Sequence, residues 1–254
     1  MSQPITVEYH DAIAHVKFDR GMRKNALSIE IIKELTRTAE MLRDRHDLVA
    51  VVLSGSAEAF SAGADQKDPE RFDIHEKPVC EQRHILSWGS RMCKAWEDLP
   101  QLTIAAVEGF NVGGGVALTL ACDWRVMAEN AYLYVPEIQI GISLGWHTVP
   151  RLVNMVGPSR AKQIMLLGDK MDSQTAKEWG LADWLTPAGE TTAFALQTAE
   201  KISNYPPYVV KMSKQSVNGY ANALNHAATF MDVDQALLCG KAPASATARK
   251  RFAE

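Results

Sequence analysis

Apolar and polar positions alternate over residues 4–9 and 12–18, joined at Asp11, and predict a β-hairpin. Ser28 stands before Ile29, Ile31, Ile32 and Leu35 at helical spacing. A serine-capped amphipathic helix is therefore expected to about Arg45. Residues 48–54 form a short apolar, β-branched run of the kind that makes a fully buried strand. The stretch 55–68 is small and turn-rich, and the polar segment 68–78 predicts a mobile loop. A helix should follow over about 80–98, stopped by Leu99-Pro100. Residues 103–108 are another buried strand, Gly113-Gly114-Gly115 opens a small-residue helix to about Ala121, and 123–128 and 132–135 are further strands. Helical patterns cover 147–155, 158–167, 172–179 and 189–203, with one short strand near 181–186, and only helices are expected after Pro206-Pro207. Strand–helix units followed by a helical tail predict an α/β core over residues 1–203 and a helical module over 204–254.

Composition adds exclusions. The 254 residues are 46% hydrophobic and 22% charged, enough for a core that needs no disulfide or metal staple. The net charge of −3, with both signs mixed, lacks the basic excess of nucleic-acid binders. A local basic patch would still suit an anionic ligand. Cys80, Cys93, Cys122 and Cys239 form no C-x-x-C pair and no metal-ligand spacing, so reduced thiols and no metal site are expected. With no basic-then-apolar leader and no apolar run approaching about 18 residues, the expected location is cytoplasmic, with no membrane span.

Two segments share one physical plan. Phe60-Ser61-Ala62-Gly63-Ala64-Asp65 and Gly113-Gly114-Gly115 each follow a predicted strand, and the second opens a helix. Small residues let a ligand approach the main chain, and a helix N-terminus leaves free N–H groups. Two such amides converging on one oxygen make an oxyanion hole. Each segment alone is also compatible with a plain tight turn.

These segments, with Arg23-Lys24-Asn25-Ala26-Leu27-Ser28, Ile104-Ala105-Ala106-Val107-Glu108-Gly109, Pro136-Glu137-Ile138-Gln139-Ile140-Gly141-Ile142, Gly157-Pro158-Ser159-Arg160-Ala161 and Ala176-Lys177-Glu178-Trp179-Gly180-Leu181, resemble the crotonase family of enoyl-CoA hydratases and isomerases in order and spacing. The resemblance implies a spiral of stacked ββα units with a helical C-terminal trimerisation module, and a homotrimer or dimer of trimers. It implies an acyl-CoA thioester as substrate and no separate cofactor. It makes Ala64 and Gly114 the amide donors and places Met22, Arg23, Lys24 and Ala26 around the nucleotide end of coenzyme A. Ala62, Asp65, Gln66 and Gly113 would border the substrate, although Asp65 also reads as a loop brace.

Family hydratases carry two glutamates: one lies two residues past the glycine triplet, the other twenty positions later. Here those positions hold Ala117 and Glu137. Mitochondrial-type Δ3,Δ2-enoyl-CoA isomerases have the same arrangement, an apolar residue and then a glutamate. One base suffices to move a proton from C2 to C4 of a 3-enoyl thioester while two amides hold the dienolate oxygen. Glu137 is therefore the expected shuttle, in an apolar pocket built by Ile138, Ile142, Leu144 and Trp146 that raises its pKa. Bulk at Trp146-His147 would exclude water. His147 remains an alternative second acid for a hydratase, or a hydrogen-bonded histidine at a helix start. His84 is a weaker candidate for the pocket.

Overall fold

The computed structural model describes residues 4–253. The hairpin forms as expected, with β1 (Ile5–His10) antiparallel to β2 (Ile13–Phe18). The Ser28 hydroxyl accepts from the Ile31 amide at 3.3 Å and caps α1 (Ile29–Arg43), which buries Ile29, Ile32, Leu35, Ala39 and Leu42. β3 (Ala50–Ser54) is buried throughout, as a strand covered on both faces must be. A short strand the sequence pattern did not reveal, β4 (Ala59–Ser61), follows it.

Residues 68–78, expected to be a mobile loop, contain the short helix α2 (Pro69–Phe72) and a 3-10 turn (Asp73–Glu76). The Asp68 carboxylate organises this stretch: it accepts from the Ile29 amide at 2.6 Å and from the Glu70 amide at 2.9 Å. α3 (Val79–Glu97) packs on α1, and the Trp96 indole donates to the Leu35 carbonyl.

The same plan then repeats. β5 (Leu102–Val107) and β6 (Phe110–Val112) lead into α4 (Gly114–Leu120). β7 (Trp124–Ala128) and β8 (Tyr132–Tyr134) lead through a loop into α5 (Thr148–Leu167). The two helical stretches expected over 147–155 and 158–167 are this one helix, broken at Gly157 (φ 75°, ψ 166°) before Pro158. β9 (Lys170–Asp172), α6 (Ser173–Trp179), β10 (Trp184–Thr186) and α7 (Thr191–Ser203) complete the core.

In each unit the long strand joins a six-stranded sheet ordered β1-β2-β3-β5-β7-β10, parallel apart from β1. The short strand joins a second sheet, ordered β4-β6-β8-β9. The core is therefore a stack of ββα turns, with one apolar cluster on each face of the large sheet. β4, β6 and β9 are three residues each, too short to show an alternation.

Beyond Asn204–Pro206 the described chain is helical: α8 (Pro207–Ala221), α9 (Asn225–Thr229), α10 (Asp232–Lys241) and α11 (Pro243–Ala253). α8 is pinned to the core by Lys214, whose buried ammonium lies 2.7 Å from Asp123 and donates to the Gln101 carbonyl. α10 lies on α3, held by the Arg83–Asp234 ion pair. Among the described residues, no helix is long and apolar enough to cross a membrane. Cys93 and Cys122 are buried free thiols pushed up to about 12 by that burial, which leaves them unreactive.

Candidate active site

The first amide is set by a backbone bridge between Leu27 and Ala64. The Leu27 amide donates to the Gly63 carbonyl at 2.7 Å, and the Asp65 amide donates to the Leu27 carbonyl at 2.9 Å. In this parallel pairing the N–H of Ala64, between the two, points away from the bridge. Asn25 locks the same corner: its side-chain amide donates to the carbonyls of Phe18 and Phe60.

The second amide is that of Gly114, the first residue of α4. Gly113 before it adopts φ 48°, ψ −111°, a conformation open to glycine. The Gly114 N–H belongs to the first turn, where no intrahelical acceptor exists. The two segments touch: a Cβ on Gly63 would stand 3.4 Å from the Gly114 nitrogen.

Both residues line one cavity of about 110 Å³, together with Gly113, Ala117, Glu137, Ile142, Leu144 and Trp146. Glu137 follows β8 and reaches back to α4. A Cβ on Gly113 would fall 2.7 Å from its Oε1. Glu137 as a whole is half-buried, but its Oε2 is fully enclosed and has no hydrogen-bond partner among the described residues. Loss of water raises its pKa from the ordinary glutamate range to about 7, against a smaller opposing contribution from its own backbone amide. The cavity is thus lined by Ala64 and Gly114, whose N–H groups take no part in the bridge or the helix ladder, and by one carboxyl able to exist in either protonation state near neutrality. Such a set stabilises an enolate oxygen and moves a proton at the adjacent carbon.

The enoyl-CoA hydratase/isomerase family model matches residues 8–253. The chain belongs to the enoyl-CoA hydratase/isomerase family. It is 31% identical over 215 residues to a short-chain-enoyl-CoA hydratase of Clostridium acetobutylicum, covering 84% of this chain and 80% of that protein. The crystal structure of an enoyl-CoA hydratase from Bacillus anthracis superposes with a TM-score of 0.78 at 32% identity, over 85% of this chain and 82% of that one. An enoyl-CoA hydratase/isomerase from Mycobacterium paratuberculosis, 23% identical, shares the fold over 99% of both chains with a TM-score of 0.88. The ββα stack is accordingly the crotonase fold.

The loop that carries Met22 to Ala26 is braced from below. Arg23–Asn25 is a 3-10 turn in which all three residues have positive φ. Asp65, 4% exposed, accepts from the guanidinium groups of both Arg20 and Arg23 at 2.9 Å and from the Lys67 amide. Burial alone would raise the Asp65 pKa; the hydrogen bonds from Arg20, the Lys67 amide and Arg23 hold it below its ordinary value. Asp65 is thus a loop brace, and Arg20, which no motif singled out, is its partner. Arg20 also donates to the Ala26 carbonyl at 2.7 Å, and the Ala62 amide donates to the Lys24 carbonyl. Arg23 is committed to Asp65, whereas Lys24 and Met22 are exposed and Lys24 makes no ion pair among the described residues. Gln66, also exposed, lines the cavity beside Ala64.

The acyl side differs in detail from the sequence expectation. Trp146 lies across two glycines: Cβ atoms on Gly114 and Gly89 would come within 2.3 Å and 2.0 Å of its ring. Ile138 is exposed and does not line the cavity. His147 and His84 line a neighbouring cleft. Burial, and then Arg151, lower the His147 pKa, and its backbone N–H donates to Asp232 at 2.8 Å. Leu86 and Ser90 of α3 and Asp232, Val233 and Ala236 of α10 complete the cavity, none of them foreseen. Leu86 and Ser90 share a face at i, i+4, a signal readable once α3 is placed. Nothing in the sequence pattern reports that α10 returns to this cavity.

Proposed function

We propose that the protein is an enoyl-CoA isomerase, converting 3-enoyl to 2-enoyl thioesters with Glu137 as the proton shuttle. The ionised carboxylate takes a proton from C2. The Ala64 and Gly114 amides hold the dienolate oxygen, and the same carboxyl returns the proton at C4. The observation that carries this reading is the orphaned, enclosed Oε2 of Glu137 in a cavity where Ala117 replaces the hydratases' first acid. A C2 proton has a base beside it, while water has no partner at position 117. Trp146 adds apolar surface to the cavity wall. The relatives' hydratase names favour the reverse emphasis, and a hydratase using a different second group is the other reading.

Lys24 and the exposed loop around Met22 suit the phosphates of coenzyme A, and no cofactor or metal is required. The exposed apolar residues Tyr205, just before α8, and Tyr208, Met212, Val217 and Tyr220 on it suit contact with further copies of the chain in a trimer or dimer of trimers.

The test is optical. Mixing the protein with 3-hexenoyl-CoA should give the conjugated 2-enoyl thioester absorbance, and Glu137→Gln should lower that rate by about a thousandfold or more. Full activity in the variant would remove Glu137 from the mechanism.

A further inference from the structure

The mechanism above leaves one buried acidic group in the cavity unused. Asp232 opens α10, is 8% exposed, and lines the same 110 Å³ cavity as Glu137, Ala64 and Gly114. Its Oδ2 accepts from the His147 amide at 2.8 Å. Its Oδ1 makes no hydrogen bond among the described residues, and the carboxyl has no ion-pair partner there. The charge of Arg151 lowers its pKa against the larger effect of burial, and Arg151 is itself committed to Glu97 at 2.7 Å.

The two carboxyls sit apart. Glu137 lies against Gly113 on the core side, whereas Asp232 is tied to the His147 backbone at the other end of the Trp146–His147 turn. Each is raised foremost by its own burial, and neither charge figures in the other's titration.

We propose that Asp232 is a second catalytic carboxylate, which gives the cavity hydratase activity in addition to isomerisation. It would do the work of the acid missing at position 117, from a different element. The inference rests on the acyl-CoA reading of the site. A water held by the free Oδ1 attacks C3 of a 2-enoyl thioester. Its O–H bond breaks as the C3–O bond forms, and its proton passes to Asp232. The C2–C3 π electrons move to C2 and onto the thioester oxygen held by the amides of Ala64 and Gly114. Protonated Glu137 delivers its proton to C2, and solvent exchange returns a proton from Asp232 to Glu137. One water is consumed and both carboxyls are restored.

This position brings an acid to the cavity although position 117 holds Ala. It also separates Asp232 from His147, whose ring lines the neighbouring cleft instead.

The test compares two reactions of the full chain, hydration of 2-hexenoyl-CoA and isomerisation of 3-hexenoyl-CoA, in wild type, Asp232→Asn and Asp232→Glu. Asparagine keeps an oxygen for the His147 amide and removes only the acid–base function. Hydration should fall by about a hundredfold or more in Asp232→Asn, the ratio of hydration to isomerisation should fall with it, and glutamate should restore part of the hydration. Equal loss of both reactions would make Asp232 a structural brace and overturn the proposal. So would unchanged hydration in Asp232→Asn, or isomerisation by the wild type with no hydration. A wild type inactive in both assays would instead overturn the acyl-CoA reading on which the proposal rests.

Discussion

The carboxyl of Glu137 packs on the α-carbon of Gly113 so closely that a methyl group there would sit 2.7 Å from Oε1. The contact joins the proposed proton shuttle to the residue that sets the first turn of α4. Gly113→Ala would therefore displace Glu137, and its φ of 48° with ψ of −111° is strained for any side chain. We expect isomerase activity to fall by at least a hundredfold. Stability should drop by about 1–3 kcal/mol, a Tm decrease on the order of 5 °C. A variant with normal activity would show that the glutamate is not held by this contact.

The pH profile of isomerisation follows from the same burial. The base must be ionised, and its pKa stands at about 7. kcat/KM for 3-hexenoyl-CoA should rise with pH and level off above an inflection near 7, which reports the free enzyme. An inflection near the ordinary glutamate value would mean that the carboxyl is solvated.

Stability should move the opposite way. Glu137 has a folded pKa above its ordinary 4.5, so between about 4.5 and 7 the unfolded chain releases a proton that the folded chain keeps. Folding stability from this group is fully present below 4.5, declines through that window, and is lower above 7 by on the order of 3 kcal/mol. Glu137→Gln removes the penalty. Its Tm should match the wild type at pH 4 and exceed it at pH 8, although catalysis is lost. Equal Tm differences at the two pH values would contradict this.

Lys24 and Asp65 should separate binding from bracing. Lys24 is exposed and makes no ion pair among the described residues, so Lys24→Ala should raise KM for acyl-CoA about two- to fivefold, leave kcat unchanged, and matter less at high salt. Asp65→Ala strips the shared partner from Arg20 and Arg23 and should cost roughly 3 kcal/mol of stability. Chemical denaturation and steady-state kinetics together distinguish the two effects.

Much of this site is legible in the chain. The glycine triplet, the Ala64 segment and Glu137 each carry a residue type that the chemistry needs, at recognisable spacing, and they meet in one cavity. The long strands could be read because full burial demands uninterrupted apolar runs. β4, β6 and β9 could not, since three residues hold no period. Asp65 was read as a brace, but its partner Arg20 lies 45 residues away, and only the folded loop reveals the pair. Asp232 was invisible for the same reason: an aspartate at a helix start looks like ordinary charge placement until α10 is seen to lie on α3. Ile138 was misplaced because sequence neighbours of a catalytic residue need not face the way it does.

Part of the cavity wall comes from Asp232, Val233 and Ala236, on the tenth of the eleven α-helices among the described residues. During synthesis the amides and Glu137 are laid down more than ninety positions earlier (roughly five to twenty seconds of translation). A nascent or C-terminally clipped chain therefore carries the reactive groups in an open cleft that water can flood. Turnover becomes a readout of whether the far end of the polypeptide has been made and docked.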